Sequence, residues 1–257
     1  MTDERLRSAI ERAITGNELV LQYQPRVLVS SLELRGVEAL VRWKDPVRGI
    51  VPATELIAAA ELAGLMGKVD AWVVRQALLQ AAVWRRDGMR VGVSVNIGPV
   101  LLGDDSFLRL FERTLKIQGD PTTLTIEVAA PSLAAAERPA AGLTRLRAHG
   151  VRLALDDVTS EAQLDAASWI KWDYVKIGRA VIGSASKDEA GERRLRMVVD
   201  ATSALGVRIV AMGVEDDATL ALLRELGIFM AQGYLFAPPL GVKELTEWSA
   251  SHATRPA

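Results

Sequence analysis

Short apolar runs rich in valine, leucine and isoleucine alternate along the chain with longer segments in which apolar residues recur every three or four positions. The runs are typical of buried strands, and the longer spacing is typical of amphipathic helices. The pattern predicts strands at 19–23, 37–41, 91–95, 124–128, 151–155, 174–177, 208–211 and 228–235. Eight strands with interleaved helices indicate an α/β fold, a TIM-like (β/α)8 barrel.

An open, doubly wound sheet is the alternative fold for such an alternation. That fold usually carries a glycine-rich phosphate loop after its first strand, and none follows residue 23. No internal repeat or interdomain linker interrupts the pattern. We therefore expect one domain over residues 1–257, with a frayed tail at 251–257.

Composition and charge exclude several classes of protein. The chain has 257 residues, of which 49% are hydrophobic and 25% charged, and its net charge is −1. This balance gives no overall attraction to nucleic acid, so we expect no DNA partner. The absence of cysteine excludes disulfides, thiolate metal sites and cysteine nucleophiles. No signal-like or bilayer-length apolar run is present, which predicts a cytoplasmic location without membrane insertion.

Polar side chains recur at the carboxyl ends of the predicted strands. They are Glu38, Asn96, Glu127, Asp156, Asp157, Lys176 and Gln232. Taken singly, each has a structural role open to it as a cap or an ion-pair partner. Taken together, they would meet at one mouth of a barrel. Carboxylate and amide oxygens suit Mg²⁺ or Mn²⁺, and a pair of such cations is a common device for hydrolysing phosphodiesters.

Several motifs follow one another in the order found in a known family. They are YQPRV at 23–27, EALVRW at 38–43, SVNI at 94–97, LDD at 155–157, DYVKI at 173–177 and QGYLFAPP at 232–239. From about residue 18 to residue 239, the chain resembles the EAL domain family. The resemblance implies a TIM-like barrel that hydrolyses cyclic di-GMP to the linear dinucleotide with Mg²⁺ or Mn²⁺.

The same resemblance implies a role for individual residues. The metal ligands would be Glu38, Asn96, Glu127 and Asp156, with Asp157 serving a second cation. Lys176 and Glu38 would be catalytic, and Lys176 would orient the attacking water. The bound nucleotide would be contacted by Gln24, Leu40, Arg42, Asp156 and Gln232. Arg42 would hold a phosphate through its fork of donors.

Three departures from the family pattern bear on catalysis. Met212 stands where the family has a glutamate at the metal centre, and a thioether is a poor ligand for Mg²⁺. The segment 158–163 (VTSEAQ) lacks the two glycines of the family's loop after the aspartate pair. Ala130 replaces the glutamate that anchors this loop in the family. These losses predict weak or absent hydrolysis and an impaired metal site.

Three functions remain open from the sequence. The first in rank is a degenerate EAL domain that binds cyclic di-GMP and signals to a protein partner or within a homodimer. The second is an active Mg²⁺- or Mn²⁺-dependent cyclic di-GMP phosphodiesterase, since most site residues are retained. The third is a protein-interaction module without nucleotide binding. Ala58 and Gly178, which replace a proline and an aspartate of the family pattern, favour this third function.

Overall fold

A closed eight-stranded barrel wrapped by helices is the architecture of the computed structural model, which describes residues 3–118, 120–133 and 139–252. In chain order the strands are β1 (Leu19–Leu28), β2 (Leu34–Asp45), β3 (Gly49–Val51), β4 (Gly92–Asn96), β5 (Leu124–Ala129), β6 (Arg152–Val158), β7 (Tyr174–Ile177), β8 (Arg208–Met212) and β9 (Met230–Gln232). Each predicted strand overlaps an observed one, and the predicted TIM-like barrel is confirmed.

Strand β1 runs against the direction of the barrel. It pairs antiparallel with both β2 and β9 and closes the barrel between them, whereas β2 and β4 to β9 pair in parallel. The short β3 pairs only with β2 and stands outside the barrel. A turn over residues 29–33 joins β1 directly to β2, so the expected helix between the first two strands is absent from this described segment.

Helices cover the outside of the barrel. They are α1 (Asp3–Thr15), α2 (Ala53–Leu62), α3 (Met66–Arg86), α4 (Asp105–Gln118), α5 (Ala130–Leu133), α6 (Pro139–Ala148), α7 (Glu161–Ala166), α8 (Arg179–Ala185), α9 (Glu189–Ala204), α10 (Asp217–Glu225) and α11 (Val242–His252), with 3₁₀ turns at Leu101–Gly103 and Pro121–Thr123. In α4, Phe107, Phe111 and Leu115 recur at helical spacing and are buried in the hydrophobic core that they share with the apolar residues of the strands.

The structure describes only the first two residues of the expected frayed tail. Ser251 and His252 belong to α11, residues 253–257 lie outside the described residues, and fraying of the tail stays a prediction. His252 stacks on the Trp248 ring, which helps to hold this last turn in place. None of the described helices combines the length and the apolar content that crossing a bilayer requires.

Inward side chains alternate along each barrel strand and so form layers. In β5 the inward positions are Thr125 and then Glu127, and in β7 they are Tyr174 and then Lys176. A small apolar group, to which Tyr174 belongs, fills the interior between the two ends of the barrel; its other members are Ala154, Val210 and Met230. The barrel is therefore a packed core with two chemically different mouths.

Asp70 is a buried carboxylate near the start of α3. It is 4% exposed, and its Oδ2 has no hydrogen-bond partner among the described residues. Burial raises the pKa of Asp70 to about 7, although a hydrogen bond from the backbone N–H of Gly98 acts in the opposite direction. Because the pKa of Asp70 is higher in the folded than in the unfolded state, the folded state binds this proton more tightly. The stability that the bound proton contributes is lost as pH rises from about 4 to about 7.

Asp70→Asn is therefore expected to stabilise the protein at alkaline pH. Between about pH 5 and pH 8, the variant should gain about 2–3 kcal/mol of unfolding free energy relative to the unmodified protein. Urea unfolding at both pH values measures this difference. Asp200→Asn, at an exposed position in α9, is the matched control and should show no such change. A pH-independent difference for Asp70→Asn would contradict the assignment.

Candidate functional site

The ammonium of Lys176 lies at the centre of the carboxyl-terminal mouth of the barrel. Its Nζ is 3.2 Å from Oε2 of Glu38 and 3.1 Å from Oδ2 of Asp156, and it is also hydrogen-bonded to Glu127. These four side chains come from β2, β5, β6 and β7. Lys176 and Glu127 are fully buried, and a buried charge is tolerated only when it is paired.

Amide side chains hold Glu38 from the other side. Nδ2 of Asn96 donates to Oε1 of Glu38 at 2.8 Å, and Nε2 of Gln232 donates to Oε2 of Glu38 at 2.9 Å. The same nitrogen of Gln232 is 2.8 Å from Oε1 of Gln24, whose own amide donates to the carbonyl of Ala237 at 3.2 Å. The structure thus brings Gln24, Glu38, Asn96 and Gln232 into one network around the lysine.

Arg26 belongs to this network and was not predicted from the sequence. Its Nη1 donates to Oε1 of Glu127 at 2.9 Å and its Nη2 to the carbonyl of Val37 at 3.2 Å, while the residue is 4% exposed. The signal was available, because Arg26 lies two positions after Gln24 in β1. Residues at that spacing share one face of a strand.

The electrostatics of the cluster separate the two glutamates. Burial alone raises the pKa of both. For Glu38, the attraction of Lys176 and the hydrogen bonds from Gln232 and Asn96 outweigh burial and lower the pKa. For Glu127, burial and repulsion by Glu38 raise the pKa despite Lys176 and Arg26. Burial would lower the pKa of Lys176, but its three carboxylate neighbours raise it, so the ammonium stays protonated.

The donor set fits a divalent cation of the Mg²⁺ or Mn²⁺ class. Glu38, Glu127 and Asp156 each present a carboxylate oxygen, and these atoms lie within 4.8 Å of one another. The buried Oε1 of Gln232 has no hydrogen-bond partner in the described part of the chain. Oxygen donors of this kind suit hard cations. The ammonium of Lys176 contacts the same carboxylates, so a cation would compete with it for their oxygens.

Asp157 stands apart from the three-carboxylate cluster. It is exposed, its backbone has a φ of 54°, and its N–H donates to Oδ1 of Asp156 at 2.8 Å. A Cβ added at Gly178 would clash with Oδ1 of Asp157, so the carboxylate of Asp157 occupies the space beside this glycine. The two consecutive aspartates therefore present their carboxylates to different places.

The remaining nucleotide-contact candidates, Leu40 and Arg42, follow Glu38 at alternate positions of β2. Both are half-buried. Nε of Arg42 donates to Oε1 of Gln22, and its Nη1 donates to the carbonyl of Val41, both at 2.9 Å. Its Nη2 has no hydrogen-bond partner among the described residues. Arg42 is thus held at the mouth, outside the lysine cluster, with donor capacity left.

The positions that depart from the family pattern have ordinary packing roles. Met212 pairs with Gln232 between β8 and β9 and packs on the apolar group in the barrel interior. Ala130 is the buried first residue of α5. After β6 the chain turns almost at once into α7, and Oε1 of Gln163 in that helix accepts from the N–H of Thr159 at 2.7 Å.

Comparison with known proteins places this geometry in a family. The model of the EAL domain family matches residues 7–239. An uncharacterized signaling protein of Caulobacter vibrioides is 31% identical over 94% of this chain and 30% of its own length. The cyclic di-GMP phosphodiesterase PdeR of Escherichia coli K12 is 28% identical over 98% of this chain and 38% of its own length. This chain spans about a third of the length of these curated relatives.

A solved structure shows the same likeness in three dimensions. The PaMucR phosphodiesterase, in its c-di-GMP complex, superposes with a TM-score of 0.82 at 28% identity, covering 94% of this chain and 99% of that one. The likeness therefore extends over the barrel as a whole. Since the family model also matches most of the sequence, this chain belongs to the EAL domain family.

Proposed function

We propose that this chain binds cyclic di-GMP with a divalent cation at the carboxyl-terminal mouth of the barrel and hydrolyses it weakly or not at all. One observation carries the proposal: Glu38, Glu127 and Asp156 converge on Lys176, whereas the carboxylate of Asp157 lies apart, beside Gly178. The ligand is suggested by PdeR, a cyclic di-GMP phosphodiesterase, and by the c-di-GMP complex of PaMucR.

The residues that would hold a cation are Glu38, Asn96, Glu127 and Asp156, with Mg²⁺ or Mn²⁺ as the matching class. When bound, such a cation would polarise the phosphodiester and lower the pKa of a coordinated water. Gln232 and Gln24 orient Glu38 through their amides. Lys176 keeps its proton and is placed to orient a water or a phosphate oxygen rather than to act as a base.

Three features support weak hydrolysis. Asp157 lies outside the carboxylate cluster. Its carboxylate occupies space beside Gly178 that is free because this glycine has no side chain. Met212, beside Gln232, supplies a neutral thioether where the family pattern has a carboxylate. A short turn into α7 takes the place of the family's glycine-rich loop. In this turn the N–H of Thr159 donates to the side chain of Gln163. A second cation site would therefore lack both the carboxylate of Asp157 as a ligand and the loop that supports this residue in the family.

A second candidate function is full phosphodiesterase activity. It is favoured by the assembled set of Glu38, Glu127, Asp156 and Lys176, which leaves most of the first cation site in place. The two candidates share the ligand and differ in turnover. Measured conversion of cyclic di-GMP to the linear dinucleotide separates them.

Binding of cyclic di-GMP is expected to depend on Arg42. The guanidinium can hold a phosphate by paired hydrogen bonds, which a truncated side chain cannot make. Arg42→Ala should weaken binding by about 1.5–3 kcal/mol, the range for a hydrogen bond to a charged group. Calorimetric titration with cyclic di-GMP, with and without Mg²⁺ or Mn²⁺, measures this loss.

Arg113→Ala is the matched control for this titration, since Arg113 is exposed on α4, away from the mouth. The control should bind as the unmodified protein does. If the unmodified protein did not bind cyclic di-GMP under any of the metal conditions, the proposal would fail. The remaining function would be that of a protein-interaction module without nucleotide binding. Equal affinity of Arg42→Ala and the unmodified protein would exclude the part of the carboxyl-terminal mouth around Arg42 as the binding site.

A further inference from the structure

The amino-terminal mouth of the barrel opens into a cavity of about 310 Å³, at the opposite end from Lys176. Its walls come mainly from the first residues of the parallel strands and the residues just before them, with Arg26 of β1 and Arg85 of α3. The described residues that line the cavity include six arginines: Arg26, Arg35, Arg85, Arg90, Arg152 and Arg208. A chain with a net charge of −1 therefore gathers a strongly basic surface at one end of its barrel.

Acidic residues neutralise two of these six arginines. Among the described residues, Asp120 is the one carboxylate that lines the cavity, and it is paired with Arg85 at 3.0 Å, while Arg26 is paired with Glu127 at 2.9 Å. Within the described residues, Arg35, Arg90, Arg152 and Arg208 make no ion pair with a carboxylate. Arginines with a structural role at a protein surface commonly form ion pairs with carboxylates. A cluster of arginines without such pairs raises the local concentration of anions.

The buried guanidinium of Arg26 provides an independent sign of a missing acceptor. Arg26 lines the cavity and is 4% exposed, yet its Nε has no hydrogen-bond partner within the described part of the chain. A buried donor without a partner costs free energy, and an anion in the cavity is the group that would satisfy it.

Two glycines keep the cavity open. A Cβ at Gly36 would lie 3.1 Å from the carbonyl oxygen of Gly92 and 3.3 Å from Nη2 of Arg26. A Cβ at Gly92 would lie 3.6 Å from the carbonyl oxygen of Thr123 and 3.9 Å from Nη1 of Arg152. Side chains at these two positions would fill the space between the guanidinium groups and the strand ends.

We propose that this cavity binds a small phosphate-bearing anion. The planar guanidinium matches the geometry of phosphate oxygens, which favours phosphate over a simple halide. A volume of about 310 Å³ lies at the lower end of the range for small-molecule sites and suits a diphosphate or triphosphate group. The site lies at the opposite end of the barrel from the acidic mouth, with Arg26 between the two, and it does not rest on the binding of cyclic di-GMP at that mouth.

The test uses inorganic pyrophosphate and ATP as probes in calorimetric titrations of the full chain. EDTA is present, so that no bound metal attracts phosphate to the carboxylates of the opposite mouth. The unmodified protein should bind at least one probe saturably, and added salt should weaken the binding because it screens the arginines. Tighter binding of ATP would indicate a nucleotide, and equal binding would indicate recognition of the phosphates alone.

Arg152→Ala combined with Arg208→Ala should weaken this binding by about tenfold or more, since two exposed guanidinium groups are lost from the wall. Arg75→Ala combined with Arg113→Ala removes the same charge from exposed helical positions and should leave the affinity unchanged. Arg35→Ala combined with Arg90→Ala is a second test of the same wall. The proposal fails if neither probe binds at about millimolar concentration, or if the control pair weakens binding equally.

Discussion

Lys176→Met is expected to lower the unfolding free energy of the metal-free protein by about 3–5 kcal/mol, the range for breaking a buried ion pair by removing one partner. The ammonium is fully buried and contacts Glu38, Glu127 and Asp156. Without it, Arg26, which is paired with Glu127, is the one cation that the described residues leave in an ion pair with these three carboxylates. Urea unfolding in EDTA measures the loss.

Manganese should reverse much of this loss. In the unmodified protein a cation would compete with Lys176 for the carboxylate oxygens, whereas in Lys176→Met the oxygens would be free to bind it. A ligand at about 100 times its dissociation constant stabilises the folded state by about 2.7 kcal/mol. We therefore expect Mn²⁺ to stabilise the variant more than it stabilises the unmodified protein.

The matched control is Lys116→Met, in the exposed last turn of α4. It should change neither the stability in EDTA nor the response to Mn²⁺. If Lys176→Met were as stable as this control in EDTA, the lysine would not be the counter-charge of the cluster. If Mn²⁺ stabilised Lys176→Met less than the unmodified protein, the three carboxylates would not form the cation site.

The barrel could be predicted because its strands and helices leave different periodicities in the sequence. The direction of β1 could not, since an apolar run reads the same for a parallel and an antiparallel strand. The apolar run also predicts an end of β1 at residue 23, whereas the strand continues to Leu28. The polar Gln24 and Arg26 interrupt the apolar run there, because they face the barrel interior and serve the site.

The carboxyl-terminal mouth could be predicted because its residues end successive strands. The separate positions of Asp156 and Asp157 depend on a positive φ at a non-glycine residue and on the space at Gly178, which no local pattern reveals. The basic cavity was missed for a related reason. Its arginines are scattered over the chain, and only the closure of the barrel brings them together.

Turnover of cyclic di-GMP by the unmodified protein is expected to lie several orders of magnitude below about 1 s⁻¹, the low end for ordinary enzymes, even with excess Mn²⁺. The reason is geometric. The carboxylate of Asp157 is beside Gly178 instead of in the cluster, and Met212 offers no charge next to Gln232. A misplacement of about 1 Å in a catalytic group can cost a hundredfold, and two such defects combine. Chromatography of the linear dinucleotide measures the rate.

Met212→Glu alone should recover little activity, because it leaves Asp157 where it is. Gly178→Asp addresses that second defect: Gly178 precedes α8 with a φ of −63° and a ψ of 148°, a backbone that aspartate adopts readily at a helix N-cap. The new side chain would claim the space that Oδ1 of Asp157 now fills. Combining both changes with Ala130→Glu and a glycine-rich loop after Val158 should raise turnover by about a hundredfold or more.

The order of recovery distinguishes this explanation from a general effect of added charge. Met197→Glu places a carboxylate at an exposed methionine of α9 and should leave turnover unchanged. The combined variant should exceed Met212→Glu by far more than Met212→Glu exceeds the unmodified protein, since the cation site needs both a ligand and its support. If Met212→Glu alone restored full turnover, the low activity of the unmodified protein would be due only to the missing carboxylate at position 212. Turnover of about one per second in the unmodified protein would instead establish an active phosphodiesterase whose Asp157 moves into the cluster when substrate binds.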